Sequence, residues 1–470
     1  MSLSSALNTA ATGLATTQTQ SRITADNIAN AMTPGFVRRE AVIVTTGAGG
    51  SMVSEVRRDV DAALVRMARA ESGKMAHQEA INDGLNSYTL YLGQPGDGLS
   101  PADKFSSFNT AMTTLVNMPS SAGAQSAAVY AAEDLAASIR GASDTLGGLR
   151  VEVDMEIRYE VADLNQALYD LADLNSRQRD FGPGTMEAAQ AADAMDGLLD
   201  RVAEIVGIRV TENSDGQVSV YTTGGAALLE GDQVQDVTYS PGEGRFFAGG
   251  TEITPGREGV RGIDEGSLAG YAELHSEILP RFQLQLDEYA RGLIQAFEDA
   301  DASLAPGEAG LFTDNGGAFD AASLDGLASR LRVNDAVSRS GASEVWRIRD
   351  GMSVATPGEA ADATQIQGFI DALDGPVDAD PATGLYAGVS VANFAAEMIS
   401  SQSAERARVE NNYNAARSAA EMVQASRQNV EGVSIDEELQ KLMLIEQSYA
   451  ANSKMLTAVA EMLDTLLAAV

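Results

Sequence analysis

The sequence predicts a mainly α-helical protein with a small β insertion, arranged as an elongated multidomain rod with paired terminal helices. No proline precedes Pro34 or follows Pro381, and residues 389–431 and 433–470 contain neither glycine nor proline. Uninterrupted segments of that length predict helices of about 65 and 57 Å. Alternating apolar and polar residues with frequent glycine turns at 205–261 predict the β insertion.

The composition excludes several classes of function, namely nucleic-acid binding and cysteine-based chemistry. The 470 residues include 67 acidic and 32 basic side chains, and the resulting net charge of −35 repels nucleic-acid phosphates. The chain has no cysteine, which excludes disulfides, thiolate metal sites and thiol nucleophiles. We therefore expect about two to four domains and no nucleic-acid partner.

No segment predicts a membrane span or a cleaved secretory signal. The most apolar stretch, at the C-terminus, is interrupted by Glu461 and Asp464 and predicts an amphipathic helix. The first 21 residues carry no charged side chain, whereas a secretory signal begins with a basic region. We expect a cytoplasmic protein or one that is exported by a route without such a signal.

The last helix has a recognisable start. Gly432 suits the left-handed position that ends the preceding helix, and Ser434 with Glu437 forms a capping box. A 3–4 spacing of mostly apolar residues then predicts a coiled-coil seam. The candidate assembly residues in this seam are Ile435, Leu439, Leu442, Tyr449, Leu456, Leu463 and Leu467.

The same spacing occurs at the N-terminus. Leu3, Leu7 and Leu14 follow it, polar residues then weaken it, and Ile28 restores it. Each seam alone is too thin to stabilise a helix of this length. We therefore predict that the two chain ends pair with each other or with neighbouring subunits.

The interior predicts helices on both sides of the β insertion. Residues 55–204 are mostly helical in pattern, Asp215-Gly216 suggests a hairpin turn, helix returns at 268–300, and 344–350 has a strand-like pattern. Three domains follow from these patterns. They are a terminal coiled-coil assembly domain (1–50 with 430–470), a helical rod domain (51–204 with 262–429, including a mixed segment at 306–388) and an inserted β domain (205–261).

No motif indicates catalysis, a cofactor or a metal. The chain has two histidines, and His275 lies between Glu273 and Glu277. Residues two apart on a helix point to different faces. We therefore expect His275 to be a surface or lightly packed side chain rather than a metal ligand. Residues 378–384 are similar to a calcium loop in composition, but the twelfth position is Val389 rather than glutamate.

Two terminal motifs resemble the ends of bacterial flagellar axial proteins, which form the rod, the hook and the hook-associated layers. The first is ADNIANAMTPGFVRR at 25–39, and the second begins VSIDEELQKLMLIEQSYAANSKML at 433. In the first motif Asn27 and Asn30 lie near a helix end, and Gly35 belongs to a turn that leads into extended chain. Ordinary helix capping is the alternative, but the presence of both motifs at opposite ends favours the resemblance.

The interior resembles one member of that family, hook-associated protein 1, through segments such as 98–121, 161–175, 198–231 and 266–293. Ser434 and Ile435 depart from the residues that the family usually has there. The resemblance implies a structural subunit outside the cell, exported through the flagellar type III apparatus without signal cleavage. Its implied partners are further copies of the chain in a helical layer, the hook protein, the second junction protein and an export chaperone on the C-terminal helix.

Two alternatives stay open. Another axial subunit, of the hook or the distal rod, would share the chain ends but not the helical interior. A cell-wall hydrolase that accompanies the flagellum would need a pair of carboxylates, and 67 acidic residues are too many for one pair to be singled out.

Overall fold

The computed structural model describes residues 3–47, 49–92, 98–182, 184–213, 216–386 and 388–468. Its α-helices are α1 Leu3–Ala29, α2 Ala62–Leu92, α3 Pro101–Asn117, α4 Ala122–Gln178, α5 Met186–Ile205, α6 Ser267–Glu273, α7 Leu279–Ala300, α8 Leu327–Arg330, α9 Arg347–Asp350, α10 Thr364–Leu373, α11 Val391–Glu431 and α12 Ile435–Ala468. The predicted fold class, mainly α with a small β insertion, is confirmed.

Four small sheets complete the described fold. The strands are β1 Arg39–Thr45, β2 Ser51–Arg58, β3 Ile208–Glu212, β4 Val218–Thr222, β5 Ala227–Glu230, β6 Gln233–Val234, β7 Val237–Ser240, β8 Arg245–Ala248, β9 Thr251–Glu252, β10 Phe312–Asp314 and β11 Leu331–Val333. The sheets have the orders β1-β2, β3-β4-β5-β6, β7-β8-β9 and β10-β11, and every pairing of named strands is antiparallel. The hairpin of β3 and β4 was predicted, although Asp215 of its turn lies outside the described residues.

The chain divides into two compact units. The first unit comprises 1–77, 158–269 and 414–470, so it contains both chain ends and the β insertion. The second unit comprises 78–157 and 270–413. The division into three domains stays a prediction.

Two asparagines of α4 hold the β insertion in the first unit. The side-chain amide of Asn165 donates to the carbonyl of Val237 and accepts from its N–H, both at 2.8 Å. Asn175 does the same with Val218 and also donates to the carbonyl of Gly231. These amides replace a neighbouring strand, because each satisfies a backbone donor and a backbone acceptor of the sheet.

The second unit has an aromatic core. Phe297 of α7 contacts Phe108, Phe312 and Phe369, with ring centroids 5.8, 5.2 and 4.9 Å away, and the rings are tilted or edge-on. The fully buried rings bring together α3, α7, α10 and β10.

The predicted helix at 268–300 contains a π-helical segment, Leu274–Ile278, between α6 and α7. Pro280 has no N–H to donate to the carbonyl four residues earlier, and a wider helical turn accommodates that loss. The N–H of Leu279 donates to Leu274, five residues back. His275 lies in this segment, half-buried, with Nε2 3.5 Å from Asp154, and burial lowers its pKa.

Two local predictions were wrong. The segment 344–350, predicted as strand-like, ends in the single helical turn α9, in which Gly351 donates to Arg347. The alternation of apolar and polar residues is too short to distinguish a strand from one helical turn.

The second wrong prediction concerns Gly432, which does not adopt a left-handed conformation. Its N–H still donates to Gln428, and an added Cβ would lie 2.4 Å from that carbonyl oxygen, so close approach explains the glycine.

Asp287 of α7 is buried at 2% exposure and anchors a loop by accepting from the N–H groups of Gly326 and Ala328 at 3.0 and 2.8 Å. Burial raises its pKa to about 6. The folded state therefore binds a proton that the unfolded state releases between about pH 4 and 6, and stability falls as the pH rises through that window.

We expect Asp287→Asn to remove this dependence. The free energy of unfolding of the wild type relative to the variant should fall by about 2–3 kcal/mol between pH 4 and pH 7. Urea unfolding at several pH values, followed by a probe in the second unit, measures the difference. A difference that does not change with pH would contradict the assignment.

Candidate assembly interface at the chain ends

The two chain ends pack on each other within one chain, as predicted. The amide of Asn27 near the C-terminal end of α1 donates to Glu438 at the start of α12, at 3.1 Å. Further along, a Cβ atom added to Gly13 would lie 2.9 Å from Asn452. Residues earlier in α1 thus contact residues later in α12, so the two helices are antiparallel.

The side of α12 that faces α1 is rotated relative to the predicted seam. Its most buried residues are Glu438 and Val459, at 1% and 4% exposure. Of the predicted seam, three residues are half-buried and four are exposed. Leu442, Leu456 and Leu463 are half-buried, whereas Ile435, Leu439, Tyr449 and Leu467 are exposed.

The candidate residues of α1 all lie at intermediate exposure. These are Leu3, Leu7, Leu14 and Ile28. Apart from Ile23, small and polar residues occupy the buried side instead, and Thr16 and Thr17 bond through their hydroxyls to carbonyls of their own helix. Such internal bonds let a polar helix be buried without unsatisfied hydroxyls. The assembly role of the candidate residues on both helices stays a prediction.

Asn27 is the polar centre of the contact and is fully buried. Its amide donates to the carbonyl of Arg39 at 2.9 Å and accepts from the N–H of Arg39 at 3.1 Å. The same amide donates to Glu438, whose other oxygen accepts from Arg38 at 3.1 Å. One side chain thus connects α1, β1 and α12.

The other two residues of the first motif shape the chain after α1. Asn30 donates to the carbonyl of Asp26 at 2.9 Å, one turn earlier. Gly35 is exposed at φ +76°, a conformation that favours glycine, and it belongs to the turn that leads towards β1. Asn27 and Asn30 therefore act at the helix end, as the motif predicts, but only Asn27 reaches α12.

A chain of alternating charges extends from this centre through the first unit. Asp193, Asp196 and Asp200 occupy one face of α5, three and four residues apart. We call the following series of charged groups, each in an ion pair with the next, the charge ladder. In order, it comprises Asp26, Arg39, Asp193, Arg58, Asp196, Arg69, Asp200, Arg427 and Glu431.

The geometry of the charge ladder is that of charge-assisted hydrogen bonds. Arg39 lies 2.7 Å from Asp26 and 2.5 Å from Asp193, and Arg69 lies 2.6 Å from Asp200. Burial raises the pKa of Asp196, but the charge of Arg58 and bonds from both arginines outweigh burial and lower it below its ordinary value. Asp196 is therefore ionised in the folded protein.

The charge ladder was not predicted from the sequence. Its signals were the spacing of the aspartates on α5 and the two arginine pairs, Arg38-Arg39 and Arg57-Arg58. The missing link was the hairpin of β1 and β2, which places Arg39 opposite Arg58. Without knowledge of that pairing, the sequence gives no reason to expect these arginines anywhere but at the surface.

We expect Asp196→Asn to destabilise the first unit by about 3 kcal/mol, because it leaves two half-buried guanidinium groups without their shared carboxylate. Asp163→Asn is the matched control, since Asp163 pairs with Arg201 and both side chains are at least one-third exposed. The control should lose about 0–1 kcal/mol. Denaturant unfolding, with hydrogen exchange of the β1–β2 amides, measures both. Equal losses in the two variants would refute the role of the ladder.

The described residues contain neither a candidate metal site nor a membrane-spanning helix. No group of three or more histidine, cysteine, aspartate or glutamate side chains is placed to hold a metal ion in the described ranges. Among the helices that the structure describes, none is long and apolar enough to cross a membrane.

Comparison with protein families matches three segments of the chain. Residues 89–305 match the "Flagellar hook-associated protein FlgK helical domain". Residues 428–469 match the C-terminal region of the flagellar basal body rod proteins FlgEFG, and residues 7–36 match the flagella basal body rod protein family. The last two matches fall on α12 and α1.

The relatives that match the chain are also flagellar hook-associated proteins. Flagellar hook-associated protein 1 of Salmonella typhimurium is 24% identical over 321 residues, which cover 63% of this chain and 56% of that protein. The chain thus spans about half the length of this relative. Flagellar hook-associated protein 1 of Bacillus subtilis is 22% identical over 514 residues, covering 98% of this chain and 97% of that protein.

A solved structure, the flagellar hook junction protein FlgK from Burkholderia pseudomallei, aligns with a TM-score of 0.43 and 19% identity. The alignment covers 53% of this chain and 46% of that one. The chain is therefore similar to flagellar hook-associated protein 1 in its helical interior, to flagellar rod proteins at both ends, and to the Bacillus relative over nearly the whole chain.

Proposed function

We propose that this chain is a structural, non-catalytic subunit of the bacterial flagellum that forms the junction between hook and filament. It would be exported through the type III apparatus without signal cleavage and act outside the cell. The observation that carries the proposal is the antiparallel pair of α1 and α12, tied to the rest of the first unit by Asn27 and the charge ladder.

The surface of α12 supports polymerisation. Leu439, Leu444 and Leu467 are among the exposed large apolar residues of the chain, and many others lie on the same helix. Large apolar side chains exposed along most of one helix mark that helix as an interaction site. Neighbouring copies would cover it in a heterologous contact, since identical subunits that follow one another in a helical layer use two different surfaces.

The remaining partners follow from the family. They are the hook protein on one side, the second junction protein on the other, and an export chaperone that binds α12 before assembly. The names of the Salmonella and Bacillus relatives support the hook as a neighbour. The fourteen candidate assembly residues and the three-domain division belong to the same proposal.

We expect Leu456→Asp to abolish assembly. Leu456 lies one helical turn beyond Asn452, which faces α1, and a carboxylate at this half-buried position costs about 1–3 kcal/mol. Leu463→Asp should act similarly, whereas Gln447→Asp, at an exposed polar position, should still assemble. Electron microscopy counts the filaments, and circular dichroism checks that the helices of the second unit stay folded. Filaments on cells with Leu456→Asp would contradict the assignment.

Deletion of the gene tests the proposal directly. Cells should carry hooks without filaments and release free flagellin into the medium, as seen by electron microscopy and immunoblotting. Cells that lack hooks would favour the second candidate, a hook or distal-rod subunit, to which the match of both chain ends with rod proteins points. Normal filaments would reject both.

A further inference from the structure

Two arginines of the second unit lie next to each other at its surface. Arg140 of α4 donates a hydrogen bond to the carbonyl of Leu331 in β11, and Arg332 is the next residue of that strand. The neighbours of Arg332 in β11 are buried, so its own side chain lies on the solvent side of the strand. Burial and the charge of Arg332 lower the pKa of Arg140, because two positive charges close together repel each other. We call Arg140 and Arg332 the arginine pair.

The arginine pair differs from its neighbours in having no carboxylate. Arg330 and Arg339, which lie on either side of it in sequence, pair with Asp314 and Glu133. No ion pair among the described residues includes either member of the arginine pair. The chain has 67 acidic side chains for 32 basic ones, so a shortage of carboxylates does not explain the difference. A carboxylate from another molecule would relieve the repulsion between the two guanidinium groups.

The same unit has an acidic surface without a cation. Residues 351–404 include seven acidic residues and no lysine, arginine or histidine. Six of the seven lie between 359 and 380, where all six side chains are exposed and, in the described part of the chain, none is in an ion pair. We call these six residues the acidic surface. They are Glu359, Asp362, Asp371, Asp374, Asp378 and Asp380.

The end of α10 is the part of the acidic surface that is best suited to bind cations. Asp371 lies in the last turn of α10, and Asp374 directly follows the helix. The C-terminus of a helix carries a partial negative charge, so acidic side chains there are unfavourable and a nearby cation is favourable. The two aspartates are three residues apart and therefore lie on the same side of the helix end. Two guanidinium groups placed together can bind both carboxylates.

Charge complementarity selects a second copy of the chain as the partner. A net charge of −35 makes copies repel each other, so a contact between them is favoured where opposite charges meet. The arginine pair and the acidic surface have opposite charges, and the described residues of one chain show no ion pair between them. Every copy therefore offers both halves of such a contact to its neighbours.

We propose that the arginine pair of one copy binds Asp371 and Asp374 of a second copy of this chain. This inference rests on the proposed function, because it names a contact between the second units of neighbouring subunits. Arginine suits this role, since its planar guanidinium group can bind a carboxylate through two parallel hydrogen bonds. The two surfaces differ, so the contact is heterologous and can repeat along a helical layer.

Because the chain has no cysteine, introduced cysteines report this contact alone. A chain with both Arg332→Cys and Asp374→Cys is produced in the deletion strain, and isolated hook–filament structures are treated with a short bismaleimide. A heterologous contact joins each copy to the next, so denaturing gels should show a ladder of dimers, trimers and longer products. The control, Arg332→Cys with Asp362→Cys before the other end of α10, should give about tenfold less product, because crosslinking follows the effective concentration of the thiols.

A charge variant tests whether the aspartates attract the arginine pair. Asp371→Lys, added to the two cysteines, places a cation opposite Arg140 of the neighbouring copy. The helix α10 should not be destabilised, since a cation suits its C-terminus, and urea unfolding of the purified chain checks this. The ladder should nevertheless fall about threefold, because an attractive pair has become a repulsive one.

Three results would overturn the inference. The first is a ladder no stronger than that of the control, in cells with normal filaments. The second is a ladder that Asp371→Lys leaves unchanged. The third is dimers from Arg332→Cys alone, which would indicate a contact between two identical surfaces. Normal filaments in the deletion strain itself would instead reject the proposed function.

Discussion

The charged face of α5 determines how the chain ends are held. Asp193, Asp196 and Asp200 each accept from two arginines, and those arginines come from β1, β2, α2 and α11. Every charged group in the middle of the charge ladder has two partners. Removal of one group therefore leaves two neighbouring charges each without one of its partners, and that loss is destabilising. Such mutual dependence gives one defined arrangement of elements that are distant in sequence.

Polar contacts also explain why so thin an apolar seam is enough for α1 and α12. Asn27 and Glu438 are buried and fix the register of the pair, and the backbone of Arg39 shares the same amide. A buried polar residue in a helix pair specifies alignment at a cost in stability. The apolar residues that the pair does not use stay at the surface, and α12 therefore keeps a surface suited to further helices.

Much of this architecture could be predicted from the sequence, because it depends on local signals. The two long C-terminal helices, the capping residue Ser434, the insertion and the pairing of the chain ends all follow from periodicity and from glycine and proline positions. The rotation of α12 could not be predicted in this way. Apolar periodicity predicts that Glu438 lies at the surface. In the structure its carboxylate is buried, because Asn27 and Arg38 donate hydrogen bonds to it.

The hairpin of β1 and β2 was missed for a related reason. Its strands have few buried apolar residues, with intermediate or exposed side chains at most positions. The hairpin matters for the fold because Arg39 and Arg58 bind Asp193 of α5, which is more than a hundred residues away. A pattern search within a short window cannot connect residues that meet only through tertiary structure.

Individual carboxylates differ in the charge state that stabilises the fold. In the first unit, the pKa of Asp196 is lowered by its arginines, so its contribution is present at neutral pH and is lost as the pH falls through the folded pKa. In the second unit, burial raises the pKa of Asp287 to about 6, so its ionised form is the unfavourable one. Asp193, which shares Arg58 with Asp196, has a pKa that burial raises above its ordinary value, so these two aspartates of the charge ladder change the stability of the first unit in opposite directions as the pH falls.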